Sequence, residues 1–280
     1  MIGKKIENPK KYSLLLIRKR NITTKDAVKI LSKHLGIPES AFGYAGLKDK
    51  FSVSYQYLTV KADVENINLD NVAIIETRKT EKFLSKGDLV GNEFEITLHG
   101  CRGSPDKVSE ELGKAMPNFF GPQRFGVHGE NHVVGRLLLK RDFDKAIKVI
   151  GENRKINKMP KDVLKFYIHA YQSWLFNQAL DGYIKKEKKP YFRDVKMPGY
   201  KTMPGNSKIE KTMKELLVRD KITSKDFMIN ELRMSVSGAK RTAFIRVKIR
   251  FEKQKAKTKL YFTLPKGSYA TTVIREISKE

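Results

Sequence analysis

The sequence predicts an α+β fold in which a mixed sheet is interrupted by a helical segment. Three observations carry that reading. Period-two alternation marks short strands toward both ends; it is clearest over residues 242–251, where Ala243, Ile245, Val247, Ile249 and Phe251 alternate with Arg246, Lys248 and Arg250. Between about 142 and 217 the apolar residues recur at helical spacing instead. A hydrophobic fraction of 40% in 280 residues supports a sizeable core.

The elements follow in order. Residues 12–17 form a short apolar strand. Thr23 or Thr24 caps a helix whose Ala27, Val28, Leu31 and Leu35 share one face, and Gly36 stops it. Over 52–60, Val53, Tyr55 and Tyr57 alternate with Ser52, Ser54 and Gln56, the pattern of a half-buried strand. Residues 72–77 and 93–98 read as further strands. Ser104 and Pro105 supply an N-cap and an N1 proline for a helix reaching about Met116. Phe143, Ala146, Ile147 and Ile150 fit one helix. Residues 163–184 fit another, apolar on more than one side and therefore buried. Proline and glycine punctuate 189–206, which reads as a loop. Residues 260–264 are a partner for the strand over 242–251. Ser268 is the expected cap of a last helix carrying Ala270, Val273, Ile274 and Ile277. The chain holds no repeat and no low-complexity tract.

Charge narrows the partner. The formal net charge is +26, and residues 241–280 alone hold eleven basic and three acidic side chains. On a folded chain such an excess points to a polyanion, RNA or DNA. RNA or DNA fits better than a membrane, and no membrane partner is expected, because the sequence shows neither a long apolar run nor an amphipathic anchor. A lone cysteine, Cys101, excludes an internal disulfide framework and a cysteine-based zinc site. His128 and His132 stand four apart without a third ligand, so they read as surface or packing residues and no metal is expected. The N-terminus lacks an apolar signal core, which makes an intracellular, cytoplasmic protein the expectation.

Two glycine-bracketed turns carry the chemistry. The segment Gly43-Tyr44-Ala45-Gly46-Leu47-Lys48-Asp49-Lys50 sets one carboxylate between lysines at the start of a strand. Flanking cations favour an ionised, nucleophilic carboxylate. The order Gly46-Leu47-Lys48-Asp49 is not that of a phosphate-binding loop. The segment Asn118-Phe119-Phe120-Gly121-Pro122-Gln123-Arg124-Phe125-Gly126 combines aromatics, amides and an arginine. A nucleophilic acid and an aromatic platform are what chemistry on an unstacked nucleobase needs. Arg246, Lys248 and Arg250 form a basic strand face that suits solvent and RNA equally. His169, Tyr171 and Trp174 read as helix packing.

Both turns resemble the signature motifs of the TruD family of tRNA pseudouridine synthases. The first, closed by Gln56, is similar to the motif that holds the family's catalytic aspartate. Three more blocks resemble the family in the same order: Gly91-Asn92-Glu93-Phe94, then His169 to Asn177 at the start of its insertion, then Leu264 to Thr271 with Arg275 and Glu276.

The resemblance implies a pseudouridine-synthase-type catalytic domain with a mixed, largely antiparallel sheet over 1–150 and 241–280, and a mostly helical inserted domain over 151–240. It implies isomerisation of uridine to pseudouridine in RNA, at tRNA position 13, without cofactor, nucleotide or metal. Asp49 is then the nucleophile, with attack at C6 of the base or C1′ of the sugar left open. Phe120 stacks on the target uracil, and Asn118 fixes its loop. Lys48 is a phosphate contact or an electrostatic partner of Asp49. Gln123, Arg124 and Arg275 complete the expected substrate-binding set. The alternative is a non-catalytic RNA-binding or tRNA-folding protein on the same scaffold, against which retention of Asp49 argues. A DNA-binding protein would need a recognition-helix motif that the sequence lacks. The family's opening block, ahead of the segment matching 11–17, is not in the sequence given. The strand over 12–17 is therefore expected at a sheet edge blunted by Lys4, Lys5, Lys10 and Lys11.

Overall fold

The structure, a computed structural model, describes residues 11–85, 87–100, 105–152, 155–254 and 257–278. Lys4, Lys5, Lys10, Cys101 and Ser104 lie outside the described residues. The chain divides into two compact units, 1–90 and 91–280.

The first unit is a four-stranded antiparallel sheet with one helix on one face. Its elements are β1 (Tyr12–Arg20), α1 (Thr24–Leu35), β2 (Phe42–Tyr44), β3 (Val53–Val60) and β4 (Val72–Thr80), in the sheet order β2-β3-β1-β4. Local signals suffice for α1. Thr23 accepts from the Asp26 N–H, Asp26 answers from below, and Gly36 takes the left-handed conformation at φ 67°. Ala27, Val28 and Leu31 pack on Leu15, Ile17, Leu58, Val60 and Ile74. Each fully buried Leu or Ile contributes about 1.5–3 kcal/mol.

Two expectations are corrected here. β1 is not an edge strand: it lies between β3 and β4, and it runs on through Arg18, Lys19 and Arg20. In β3 the apolar set faces outward. Val53, Tyr55 and Tyr57 are exposed, whereas Gln56, Leu58 and Val60 are buried. Period-two spacing fixes which residues share a face but not which face turns inward. Leu58 and Val60 decide it, and Gln56 shares their parity.

The second unit runs from β5 (Gly91–His99) through α2 (Pro105–Lys114), β6 (Met116–Pro117), α3 (Asn131–Leu139), α4 (Phe143–Ile150) and α5 (Lys161–Lys186). It continues with β7 (Asp194–Met197), α6 (Lys208–Asp220), β8 (Met228–Ile229), β9 (Met234–Ser235), β10 (Ala239–Thr242), β11 (Phe244–Ile245), β12 (Ile249–Gln254), β13 (Lys257–Pro265) and α7 (Ala270–Ile277). One core lies among α3, α5 and α6, with Leu138, Ile168, Tyr171, Phe176 and Met213 at its centre. Another lies on the antiparallel sheet β12-β13-β5, where Val247, Leu260, Leu264, Val273 and Ile277 are buried. Every ladder among the described strands is antiparallel. The fold is α+β.

Five further expectations change. The single strand over 242–251 is broken into the end of β10, β11 and the start of β12, because its ladder partner changes from β7 to β6 to β13. The loop over 189–206 contains β7. The helix after Pro105 ends at Lys114, and Met116 enters β6. Ser268 does not cap α7; its hydroxyl donates to Asn118 Oδ1 at 2.9 Å instead. On α5, Tyr171 is buried and Trp174 packs on the core as expected, but His169 is exposed.

Candidate functional site

Each unit presents one structured turn. In the first, residues 45–52 link β2 to β3. Gly43 is required at its base, since a Cβ there would stand 2.6 Å from Thr59 Oγ1 and closer still to the Leu84 carbonyl. Gly46 meets no such obstacle. Buried polar side chains hold the turn from below. Gln56 Nε2 donates to the Gly46 carbonyl at 2.6 Å, and its Oε1 accepts from the Thr24 hydroxyl at 2.9 Å. That hydroxyl oxygen accepts the Lys48 N–H at 2.9 Å.

Lys19 completes the support. It shares the inward parity of Leu15 and Ile17 and is 0% exposed, so the strand carries its ammonium beneath the turn. There Nζ donates to the Asp49 carbonyl at 2.5 Å and to the Ile22 carbonyl at 2.8 Å. Burial lowers its pKa, and the Asp49 charge opposes that. The Lys48 ammonium is likewise lowered by burial and raised by Asp49. The Asp49 side chain itself stands exposed above a fixed backbone.

In the second unit, the loop over 118–126 is clamped by residues far away in sequence. Arg241 is buried, and its guanidinium lies 3.8 Å from the Phe120 ring centroid. It donates to the carbonyls of Asn118 (2.9 Å), Phe119 (3.2 Å) and Gly267 (2.8 Å), and to Asn118 Oδ1 (2.8 Å). Burial pushes it down to about 10, with Tyr269 opposing, so at neutral pH it remains a cation. Asn118 is buried and donates to the Thr242 carbonyl at 2.9 Å. Asn177 pairs with the Phe120 backbone in both directions, accepting from its N–H at 2.9 Å and donating to its carbonyl at 3.0 Å. The half-buried Phe120 ring meets Phe176 and Tyr269 edge-on.

Gln123 is exposed and accepts from the Thr271 hydroxyl at 3.2 Å. Arg124 lies between the Phe120 and Phe166 rings, at 5.6 and 5.4 Å from their centroids. Its buried Nε has no hydrogen-bond partner among the described residues. The structure therefore brings Asn118, Phe120, Gln123 and Arg124 together. Among the described residues no hydrogen bond or ring contact joins Arg275 to them: that side chain is exposed in the last turn of α7, and Ser268, Tyr269 and Thr271 contact the loop.

The supporting residues Lys19, Arg241 and Asn177 escaped sequence reasoning. A cavity of about 530 Å³ lined by Arg141, Tyr200 and Asp226 contains neither turn. Its Arg141 is already bonded to the carbonyls of Asp226 and Met228. His132 stacks on Trp174 at 5.4 Å, a packing role. Among the described residues no group of three His, Cys, Asp or Glu side chains could hold a metal ion, and no helix is long and apolar enough to cross a membrane.

The family model of tRNA pseudouridine synthase D (TruD) matches residues 1–155 and 185–277. The chain belongs to the TruD family. A tRNA pseudouridine synthase D of Aquifex aeolicus is 28% identical over 353 aligned residues, covering 95% of this chain and 91% of that protein. One from Sulfurimonas denitrificans is also 28% identical, with 96% and 88% covered. A crystal structure assigned to TruD from Methanosarcina mazei matches with a TM-score of 0.72 over 99% of this chain and 90% of that one. At 23% identity that last match speaks for the fold alone.

Proposed function

We infer that this TruD protein isomerises uridine to pseudouridine in tRNA, with Asp49 as nucleophile. Family membership supports the activity, and the relatives named above carry that enzyme name. One observation carries the residue assignment. Asp49 presents an exposed carboxylate on a turn whose backbone is bonded to Lys19, Thr24 and Gln56, all within one unit. A nucleophile needs access and a fixed position together.

The uridine must first leave its stack. Asp49 attacks at C1′ or at C6, and the C1′–N1 bond breaks. The uracil turns, C5 bonds to C1′, the bond to Asp49 breaks and restores its carboxylate, the C5 proton is lost and N1 gains a proton. Substrate and product are isomers, so no external electron donor or acceptor enters. Phe120 is proposed as the stacking ring for the unstacked base, with Arg241 under one face of that ring and Asn118 and Asn177 fixing its backbone. Arg124, whose guanidinium lies between the Phe120 and Phe166 rings, is proposed to meet a substrate phosphate. Position 13 as target, a cytoplasmic setting and residues 151–240 as an inserted domain belong to the same proposal.

The test is Asp49→Asn, assayed on an unmodified tRNA transcript with the pseudouridine site mapped. No product with near-normal tRNA affinity is expected. Turnover by the Asn variant would remove Asp49 from the role.

A further inference from the structure

α1 covers one face of the first unit's sheet, and the other face carries an unusual set of side chains. Phe51 is 86% exposed, Tyr55 58%, Val53 52% and Tyr57 48%. In register on β1, Tyr55 lies opposite Arg18, Val53 opposite Arg20 and Tyr57 opposite Leu16. Residues directly opposite in an antiparallel pair share a face. Two rings on β3 and two guanidinium groups on β1 therefore share one face, with Tyr55 directly opposite Arg18. Arg18 and Arg20 form no ion pair among the described residues, although Asp70 shares a small cleft with them. Arg78, on the same face, is paired with Glu76. Lys50 sits 5.5 Å over the Phe51 ring.

An exposed apolar patch of this kind marks an interaction surface. Its arginines and the +26 charge of the chain suit a polyanion better than a protein. Single-stranded RNA is bound by stacking unstacked bases on aromatic rings while cations track the phosphates. Tyr55 and Tyr57 are two residues apart on one strand, about 6.8 Å, so neighbouring nucleotides can each meet one ring.

We propose that the outer face of the β2-β3-β1-β4 sheet docks unpaired nucleotides of the RNA substrate, with Tyr55 and Tyr57 stacking on bases and Arg18 and Arg20 holding phosphates. The proposal rests on the reading of this chain as an RNA-modifying enzyme. It concerns nucleotides other than the target uridine.

The experiment measures the Kd of the full chain for an unmodified tRNA transcript by fluorescence anisotropy, across a salt series. The variants are Tyr55→Thr/Tyr57→Thr, which removes the rings and keeps β-propensity, and Tyr55→Phe/Tyr57→Phe, which keeps the rings. Each lost stack is expected to raise Kd about 5- to 150-fold. The Phe pair should bind like wild type. Arg18→Gln should reduce the slope of log Kd against log salt by about 0.7–0.9. A Thr pair that binds within twofold of wild type would overturn the proposal. So would a Thr pair that binds normally but sediments at a lower mass than wild type, since the face would then join two copies of this chain. Lost affinity in the Thr pair, beside a wild-type chain that makes no pseudouridine, would leave this surface standing and sink the proposed activity instead.

Discussion

Replacing Lys19 with methionine keeps the buried stem and deletes its donors. The consequences differ at the two acceptors. The Ile22 carbonyl loses its only side-chain donor among the described residues, at a cost of about 1–3 kcal/mol. The Asp49 carbonyl keeps the Ser52 hydroxyl at 3.0 Å, so its loss is nearer 1 kcal/mol. Relief from burying an ammonium offsets part of both. The net destabilisation expected is about 2 kcal/mol, readable by urea unfolding followed by circular dichroism. The effect on chemistry should be larger than that figure suggests. A reacting group displaced by 1 Å can lose about a hundredfold in rate. Single-turnover pseudouridine formation, with enzyme saturating over tRNA, isolates that step from binding. The rate should fall by about ten- to a hundredfold, with tRNA affinity held near wild type. Ser52→Ala added to Lys19→Met should slow it further, because Asp49 then loses both supports. A destabilised Lys19→Met that turns over at the wild-type rate would confine Lys19 to the fold and refute the positioning argument.

Other outcomes follow from the same geometry. Phe120→Ala should weaken productive tRNA binding by about 1–3 kcal/mol, and Phe120→Tyr far less; equal Kd values for the two would remove the ring from the site. Arg241→Lys keeps the charge but loses the planar fork that grips three carbonyls, so the single-turnover rate should drop although affinity for tRNA persists. Glu210 is buried, which pushes its carboxyl up, but hydrogen bonds from Ser207, Lys196 and Gly205 outweigh burial and hold it below the usual range. The unfolded chain therefore binds the extra proton, so this contribution to stability is full above about pH 4.3 and is lost as pH falls through the folded value. Glu210→Gln should flatten acid unfolding in that window, and an unchanged acid limb would contradict the assignment.

How much the sequence disclosed depended on the range of each interaction. α1 was legible because its cap, its apolar stripe and its Gly36 stop lie within fourteen residues. Asp49 and the loop at Phe120 were legible because their residue types are unusual in their own neighbourhoods. What holds them was not. Arg241 is 123 residues from Asn118, and Asn177 is 57 from Phe120. The strand faces show the same limit. β3 turned its tyrosines out because Leu58 and Val60, beyond the stretch where the alternation is plainest, set the parity. One signal was present and unread. Lys19 continues the inward parity of Leu15 and Ile17, and Arg241 that of Ala243, Ile245 and Val247. A cation on the apolar parity of a strand has to find acceptors inside the protein.

The two turns are built on one device. Lys19 lies beneath Asp49 and Arg241 beneath Phe120, and neither forms an ion pair with a carboxylate among the described residues; both are bonded to backbone carbonyls instead. Carbonyls satisfy the donors without cancelling the charge. A carboxylate partner would have lowered the cost of burying each cation, but it would also have neutralised the field at the surface above. The chosen arrangement fixes the loop backbone and keeps the positive charge. Under Phe120 the effect is compounded. Arg241 is attracted to the ring face at 3.8 Å, which holds the ring plane, and Arg124 adds a second cation 5.6 Å from the same centroid. Two like charges around one ring repel each other and weaken the isolated fold, yet they suit an anionic strand.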